Sequence, residues 1–218
     1  DYFETWIPQA KKNIDLKRTE VIKATKGIKL MHRFLSQDKS ETHQEALDPH
    51  TWLSPKLAIK EVANIRDGLS KKFPDQKVLF HKNAQKYLQK LKRLDDDYQT
   101  TFRNATYKKF ITQHKAFSYL ARDYGLKQIA IAGFSPEEEV SPSHLAKLKK
   151  YVKKEGLKII YFEKTASSKV AQTLAEEVGV KTAVLNPLEG LTKREQKEGK
   201  DYFSVMEENL KALKLTIK

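Results

Sequence analysis

Two histidines and one glutamate lie at positions where metal-binding side chains commonly occur. His50 lies in the stretch DPHTWLSP, residues 48–55, just ahead of a predicted helix. His114 follows the predicted strand KKFIT, and Glu163 ends the predicted strand LKIIYFE. Zinc takes nitrogen and oxygen ligands in proteins, usually four in a tetrahedral arrangement. These three residues therefore supply three of the four ligands that a zinc ion needs.

Each of these residues also has a purely structural explanation. A lone histidine at a strand end is more often a surface or capping residue than a ligand, and a carboxylate after a strand often caps the next helix. The other histidines serve for comparison, and they are His32, His43, His81 and His144. Because the chain has no cysteine, any transition-metal site must use histidine, aspartate or glutamate.

The corner around His50 has features that would hold an imidazole at a fixed angle. Pro49 restricts Asp48 to an extended conformation. Asp48 can accept hydrogen bonds within the turn, and Trp52 and Leu53 can anchor the corner in apolar packing. Ser54 and Pro55 then read as the N-cap and first residue of a helix.

The hydrophobic pattern predicts the elements that position these residues. Helical spacing predicts helices over residues 55–72 and 75–104, the second spanning about 45 Å. After residue 104, helices alternate with strands predicted at 108–112, 127–133, 157–163 and 181–186. Such alternation predicts a parallel sheet with helices on both faces, and ligands bind beyond the carboxyl ends of its strands. The stretch TEVIK, residues 19–23, is predicted as a separate short strand.

Composition narrows the possible partners. The chain has 42 Lys+Arg against 28 Asp+Glu, a formal net charge of +14. Such a basic protein suggests nucleic acid as the first candidate for a binding partner. The lysines, however, are spread over several predicted helices among acids, and no nucleic-acid-binding motif is present. We therefore interpret them as solvated helix faces and expect no nucleic-acid partner. Attraction to an anionic membrane surface stays open.

Signals for catalysis and for a membrane span are weak. The sequence contains no G-x-S-x-G, Walker A or G-x-G-x-x-G motif. The three glutamates at 137–139 are interpreted as a solvated turn rather than an acid–base pair. No window approaches the 18 or so consecutive apolar residues of a transmembrane helix.

Several longer stretches resemble one protein family closely. The chain is similar to the zinc-binding solute-binding proteins of bacterial ABC uptake systems, the cluster A-I metal receptors, and above all to those of Gram-positive bacteria. The stretches that carry this resemblance are DPHTWLSP, FITQHKAFSYLARDYGLKQIAIAGFSPEEEVSP, IIYFEKTASSKVAQTLAEEVGVKTAVLNPLEGL and YFSVMEENLKAL. The resemblance covers essentially the whole chain and is highly specific.

The resemblance implies an α/β fold of two lobes joined by one long rigid helix. On this basis residues 1–74 are expected to be the remnant of an N-terminal lobe, 75–104 the linking helix and 105–218 the C-terminal α/β lobe. The family has an earlier histidine in a P-H-x-[YF]-E-P-like segment that this sequence lacks. We therefore expect that segment, a signal peptide and a lipid-carrying cysteine to lie upstream, which leaves the N-terminal lobe incomplete.

The resemblance also implies the ligands and the function. His50 on the N-terminal lobe, and His114 and Glu163 on the C-terminal lobe, are the expected metal ligands. Histidine at position 114 favours Zn²⁺, because manganese-type members typically have a carboxylate there. The implied function is an extracytoplasmic, cell-surface lipoprotein of a Gram-positive bacterium that delivers Zn²⁺ to the membrane permease subunit of an ABC transporter, without enzymatic activity. The lipid anchor would provide its membrane association.

Alternatives remain open from the sequence. A manganese-type receptor and a truncated fragment with an incomplete metal site are the nearest. Three ligands and a water also describe catalytic zinc, so a metal-dependent hydrolase is a further candidate. Water or His43 could complete the coordination of the metal.

Overall fold

The structure is a computed structural model that describes residues 4–15, 18–33, 46–133, 140–164 and 167–218. The chain divides into two units, Asp1–Arg93 and Leu94–Lys218, and the boundary falls within a single long helix. The predicted α/β class is confirmed, whereas the predicted three-part division of the chain stays a prediction. Among the described residues, no helix is both long enough and apolar enough to cross a bilayer.

Unit 1 is mostly helical in its described residues. Its elements are α1 (Ile7–Asn13), β1 (His32–Arg33), β2 (Ala46–Leu47), α2 (Pro55–Lys72) and the first part of α3 (Lys77–Arg103). The strands β1 and β2 pair antiparallel, with His32 opposite Leu47. Helix α2 begins at Pro55 as predicted, because proline has no amide hydrogen to lose at a helix start and its fixed φ suits the first turn.

The strand predicted at 19–23 is wrong. These residues have no regular secondary structure. A Cβ placed on Gly68 of α2 would lie 2.8 Å from two carbon atoms of the Ile22 side chain. Ile22 of TEVIK therefore packs against a helix, whereas Val21 is exposed.

The long helix α3 confirms the prediction for residues 75–104. It contains 27 residues, a length of about 40 Å at 1.5 Å per residue. Its last turns belong to unit 2, where Leu94, Tyr98 and Phe102 are buried. The hydroxyl of Tyr98 donates a hydrogen bond to the Met206 carbonyl oxygen at 2.7 Å, which ties the helix to the end of the chain.

Unit 2 is built on a four-stranded parallel sheet. Its further elements, in chain order, are β3 (Lys109–Thr112), α4 (Ser118–Asp123), β4 (Lys127–Ala130), α5 (Pro142–Glu155), β5 (Ile159–Phe162), α6 (Lys169–Val178), β6 (Lys181–Val184), α7 (Lys193–Lys197) and α8 (Tyr202–Leu213). All four predicted strands are present, each within the predicted range. Helix α7 was not predicted from the sequence, because its five residues are too few to show a helical period.

The strand order in this sheet is β4-β3-β5-β6, with every pair parallel. The chain moves from β3 to β4 on one side and then returns to the other side for β5. Adjacent strands β3 and β5 therefore form the point at which the direction of winding reverses. In open parallel sheets, the crevice at the carboxyl ends of such strands is where ligands bind.

Buried side chains fix the helices to both faces of this sheet. Ile111 of β3 and Ile160 of β5 pack in one core cluster with α5 and α6 residues such as Val152 and Leu174. The next residue along β5, Tyr161, donates its hydroxyl to the Ala212 carbonyl oxygen of α8 at 2.7 Å. Alternate residues of a strand point to opposite faces, so α8 covers the face opposite α5 and α6.

Candidate metal-binding residues

His50 lies in a buried corner of unit 1 beside Asp48. The exposed fractions are 1% for His50 and 0% for Asp48. Oδ1 of Asp48 accepts a hydrogen bond from His50 Nδ1 at 2.7 Å and another from the His50 backbone N–H at 3.1 Å. A carboxylate oxygen only accepts hydrogen bonds, so the Nδ1 of His50 carries the hydrogen. The lone pair of the imidazole therefore lies on Nε2.

The rest of the corner holds this imidazole in place. The Asp48 backbone N–H donates to the Met31 carbonyl oxygen at 2.9 Å. The Trp52 ring lies with its centroid 5.4 Å from that of His50. Thr51 donates its hydroxyl to Glu61, whose pKa is raised, mainly by burial. The predicted role of Asp48 as an acceptor within this turn is confirmed.

His114 and Glu163 occupy the carboxyl ends of β3 and β5. His114 lies two residues beyond Thr112, the end of β3, and Glu163 directly follows Phe162, the end of β5. These are the two adjacent strands at which the winding of the sheet reverses. The parallel fold therefore brings together two predicted site residues that are 49 positions apart in sequence.

His114 lies between two carboxylates. Its Nδ1 is hydrogen-bonded to Oε1 of Glu163, and its Nε2 lies 3.3 Å from Oε1 of Glu189. His114 is fully buried and Glu163 is 3% exposed, whereas the Glu189 side chain is 20% exposed. The second oxygen of Glu163, Oε2, is buried and has no hydrogen-bond partner among the described residues. The arrangement thus places anionic oxygens on both sides of one imidazole.

Hydrogen bonds to the backbone fix the position of His114. Its carbonyl oxygen accepts from the Thr112 hydroxyl at 2.7 Å and from Gln128 Nε2 at 3.0 Å. The neighbouring Gln113 donates to the Ser167 carbonyl oxygen at 2.7 Å. These polar residues of β3, of β4 and of the segment after β5 hold the strand end in one conformation.

The two carboxylates change the acidity of His114. Burial alone lowers the pKa of the imidazole, since it penalises the charged form. The hydrogen bonds to Glu163 and Glu189 outweigh burial and raise the pKa to about 9. Without a bound metal ion, the His114 imidazole is therefore cationic at neutral pH. A metal ion that binds Nε2 has to replace a proton.

Glu189 was not predicted from the sequence. It lies five residues beyond Val184, the end of β6, and so at the same edge of the sheet as His114 and Glu163. The rule that ligands bind at the carboxyl ends of parallel strands could have identified it. The four intervening residues hid the signal, because the sequence does not show how the loop folds back.

The other histidines that the structure describes contribute no comparable arrangement. His81 is exposed on α3, His144 is partly buried on α5, and His32 is exposed on β1. His43, considered from the sequence as a fourth ligand, lies outside the described residues, as does the glutamate run at 137–139. Among the described residues, the candidate ligands are thus His50 of unit 1 and His114, Glu163 and Glu189 of unit 2.

The donor atoms of these residues fit zinc. Each of the two buried histidines has a buried carboxylate on Nδ1, which leaves Nε2 as the donor atom. Imidazole nitrogens and carboxylate oxygens suit Zn²⁺ as a borderline ion, whereas a site for Mg²⁺, Ca²⁺ or Mn²⁺ would be richer in oxygen.

Comparisons with known proteins point to the same chemistry. The model of the family described as "ZnuA: Zinc-uptake complex component A periplasmic" matches residues 1–215. The chain is 51% identical over 224 residues to the high-affinity zinc uptake system protein ZnuA of Bacillus subtilis, with 98% of this chain and 69% of that protein covered. It is 50% identical over 218 residues to the zinc-binding lipoprotein AdcA of Streptococcus pneumoniae, with 98% and 44% covered.

A solved structure gives the same relationship. The Zn(II)-bound ZnuA-like domain of Streptococcus pneumoniae AdcA superimposes with a TM-score of 0.79 at 51% identity, over 98% of this chain and 76% of that chain. The present chain spans less than half the length of the streptococcal AdcA proteins that it matches.

Proposed function

Since the chain belongs to the family of the periplasmic zinc-uptake component ZnuA, we propose that it acts as an extracytoplasmic receptor that binds Zn²⁺ and delivers it to the permease of an ABC transporter. Binding and release of an ion need no covalent step, so the chain is proposed to have no enzymatic activity. Because the chain spans less than half the length of its streptococcal AdcA relatives, the receptor function of the whole protein is itself part of this proposal.

One observation carries the zinc proposal. In both His50 and His114 the Nδ1 atom is held by a buried carboxylate, Asp48 in one case and Glu163 in the other. Carboxylates in this position fix the tautomer of a metal-binding histidine, orient its ring and raise the basicity of Nε2. The same pattern at two buried histidines is costly for the fold, because it buries charge, and a bound cation offsets that cost.

The geometry also distinguishes the two glutamates beside His114. Glu189 faces Nε2 of His114, the donor atom, so we propose Glu189 as a zinc ligand in unit 2 together with His114. His50, whose Nε2 is likewise left as the donor atom, is the proposed zinc ligand of unit 1. Glu163 faces Nδ1, so its proposed task is to orient His114. The role of Glu163 as a zinc ligand, predicted from the sequence, stays a prediction. The atom that would bind the ion is Oε2, which has no hydrogen-bond partner among the described residues.

Zinc titration tests this proposal. We expect His50→Ala, His114→Ala and Glu189→Gln each to raise the zinc dissociation constant by at least about 100-fold. Glu163→Gln should raise it by about 10- to 100-fold, the usual effect of losing a residue that orients a ligand.

Manganese and an unrelated histidine provide the controls. The wild type should bind Mn²⁺ far more weakly than Zn²⁺, because two imidazoles favour the softer ion. His81→Ala, on the exposed side of α3, should bind zinc as the wild type does. Equal affinity for the two metals would favour a manganese-type receptor, and zinc binding that is indifferent to His50, His114 and Glu189 would refute the ligand assignment.

The delivery step and the cellular location need a separate assay. We propose that the protein reaches the extracytoplasmic side of a Gram-positive membrane and is held there by a lipid anchor, in keeping with the lipoprotein named among its relatives. The zinc-loaded chain should stimulate ATP hydrolysis by the matching ABC transporter in liposomes. No stimulation above that by zinc alone would contradict the delivery proposal.

A further inference from the structure

Glu189 lies at the end of a turn that is bound to helix α8. This turn, residues 186–189, is called the Asn186 turn below. Its anchor is Asn209, a residue of α8 that is 2% exposed. Oδ1 of Asn209 accepts a hydrogen bond from the Asn186 backbone N–H at 2.8 Å, and its Nδ2 donates to the Asn186 carbonyl oxygen at 2.7 Å. One side-chain amide thus pairs with both backbone polar groups of one residue.

The side chain of Asn186 continues the connection toward Glu189. Its Oδ1 accepts a hydrogen bond from the Leu188 backbone N–H at 2.8 Å, which closes a turn across Pro187. Leu188 has a φ of +55°, the one positive φ of a non-glycine residue among those described. A left-handed conformation is unfavourable for a residue with a side chain, because its Cβ comes too close to the following carbonyl oxygen. Surrounding contacts must therefore impose it.

The strained residue directly precedes Glu189. A left-handed residue reverses the local course of the chain, and so decides where the next side chain lies. Here the next side chain is the carboxylate whose Oε1 lies 3.3 Å from His114 Nε2. Strain of this kind is found where a surrounding structure holds a functional group in place.

The far end of the same loop is also fixed. Thr192 and Glu195 form a capping box at the start of α7, with their hydrogen bonds to each other's backbone N–H at 3.2 and 3.0 Å. Lys164, which follows Glu163, lies 3.3 Å from Glu195. The loop that carries Glu189 is therefore held at one end by α8 and at the other by the segment after β5.

We infer that Asn209 is a positioning residue for zinc binding: it holds the Asn186 turn, and thereby sets the Glu189 carboxylate toward His114 Nε2. This inference rests on the proposed function, in which Glu189 is a ligand. A residue whose task was only to stabilise α8 would need no partner in this turn. A further hydrogen bond, from the Tyr161 hydroxyl to the Ala212 carbonyl oxygen, shows that α8 has an anchor on the sheet as well.

A double-mutant cycle tests the inference. Asn209→Ala, Glu189→Gln and the double variant are compared with the wild type for zinc dissociation constant, measured by competition with a chelator. We expect Asn209→Ala to raise the constant by about 10- to 100-fold. In the Glu189→Gln background the same change should have less than about a threefold effect, because the carboxylate that Asn209 positions is gone.

Tyr161→Phe is the matched control. It removes a hydrogen bond to the backbone of the same helix, one turn from Asn209, together with the contact of the Tyr161 hydroxyl with the Thr216 hydroxyl. We expect it to lower the melting temperature of the metal-free protein, as Asn209→Ala does, while the zinc dissociation constant stays within about twofold of the wild type. The visible spectrum of the Co²⁺-loaded protein should change in Asn209→Ala toward that of Glu189→Gln, and should not change in Tyr161→Phe.

The outcomes separate the two proposals. If Glu189→Gln leaves zinc affinity unchanged, the ligand assignment fails and the positioning role fails with it. If Glu189→Gln weakens zinc but Asn209→Ala does not, or weakens it equally in both backgrounds, only the positioning role is overturned. Should Asn209→Ala fail to fold, Asn209→Asp replaces it. That variant keeps the acceptor for the Asn186 N–H but turns the donor into a repelling oxygen, so an intermediate loss of affinity is expected.

Discussion

Zinc binding is expected to release a proton from His114 at neutral pH. With a pKa of about 9, the imidazole is about 97% protonated at pH 7.5, against about 10% for an unperturbed histidine. Zinc needs the neutral imidazole, so its binding at pH 7.5 should release about one proton from this residue. For the same reason, the apparent dissociation constant should fall about tenfold per pH unit between pH 7 and pH 8.5, and level off above pH 9.

Calorimetry measures this proton directly. Zinc is titrated into the metal-free chain at pH 7.5 in three buffers of different ionisation enthalpy, and the slope of the observed enthalpy gives the number of protons released. Glu163→Gln removes one of the two carboxylates that raise the pKa of His114, so this variant should release fewer protons than the wild type. Protons from any other ligand would add to the wild-type count, and would be common to both proteins.

Two results would contradict this prediction of proton release. A release of fewer than about 0.3 protons by the wild type at pH 7.5 would mean that His114 is already neutral without metal. Equal release by the wild type and by Glu163→Gln would mean that Glu163 does not set the charge of the imidazole. His81→Ala serves as the control variant and should match the wild type in both affinity and proton count.

Three further predictions concern affinity and stability. Asp48→Ala should raise the zinc dissociation constant by about 10- to 100-fold in chelator competition, because Nδ1 of His50 loses the acceptor that orients the ring; an unchanged constant would contradict this role. In the metal-free chain, the raised pKa of His114 stabilises the fold fully below about pH 6.5, and this contribution is lost as pH rises through 9. It amounts to a difference on the order of 3 kcal/mol in urea unfolding, which His114→Ala should not show. Leu174→Ala, at a core position that is 1% exposed, should lower the unfolding free energy by about 2–5 kcal/mol yet leave zinc affinity unchanged; a large loss of affinity would mean that the core and the site are coupled.

Most of the fold of unit 2 was predictable from sequence because its signals are local. Leu148 and Val152 on α5 show the helical period, and Gly156 ends the helix with a φ of 65°, a conformation that glycine adopts freely. The strands were recognisable as short β-branched runs between such helices. The strand predicted for TEVIK was wrong because a pattern of apolar residues does not show what they pack against, which for Ile22 is α2.

The metal-binding chemistry divides in the same way. The sequence by itself indicated candidate zinc ligands: two histidines, in the absence of cysteine, placed at a corner before a helix and at a strand end. It also indicated Asp48, because the interaction between Asp48 and His50 spans only two residues. Local patterns of this kind can be recognised in the sequence without any knowledge of the fold.

Only the tertiary structure decided how the residues around His114 are arranged. The strand order β4-β3-β5-β6 makes β3 and β5 neighbours, and this places Glu163 on Nδ1 of His114. The loop after β6 brings Glu189 to Nε2, through a turn whose anchor, Asn209, is 23 residues from Asn186. Hydrogen bonds between distant residues depend on packing and strand order, which the types and spacing of the residues alone do not specify.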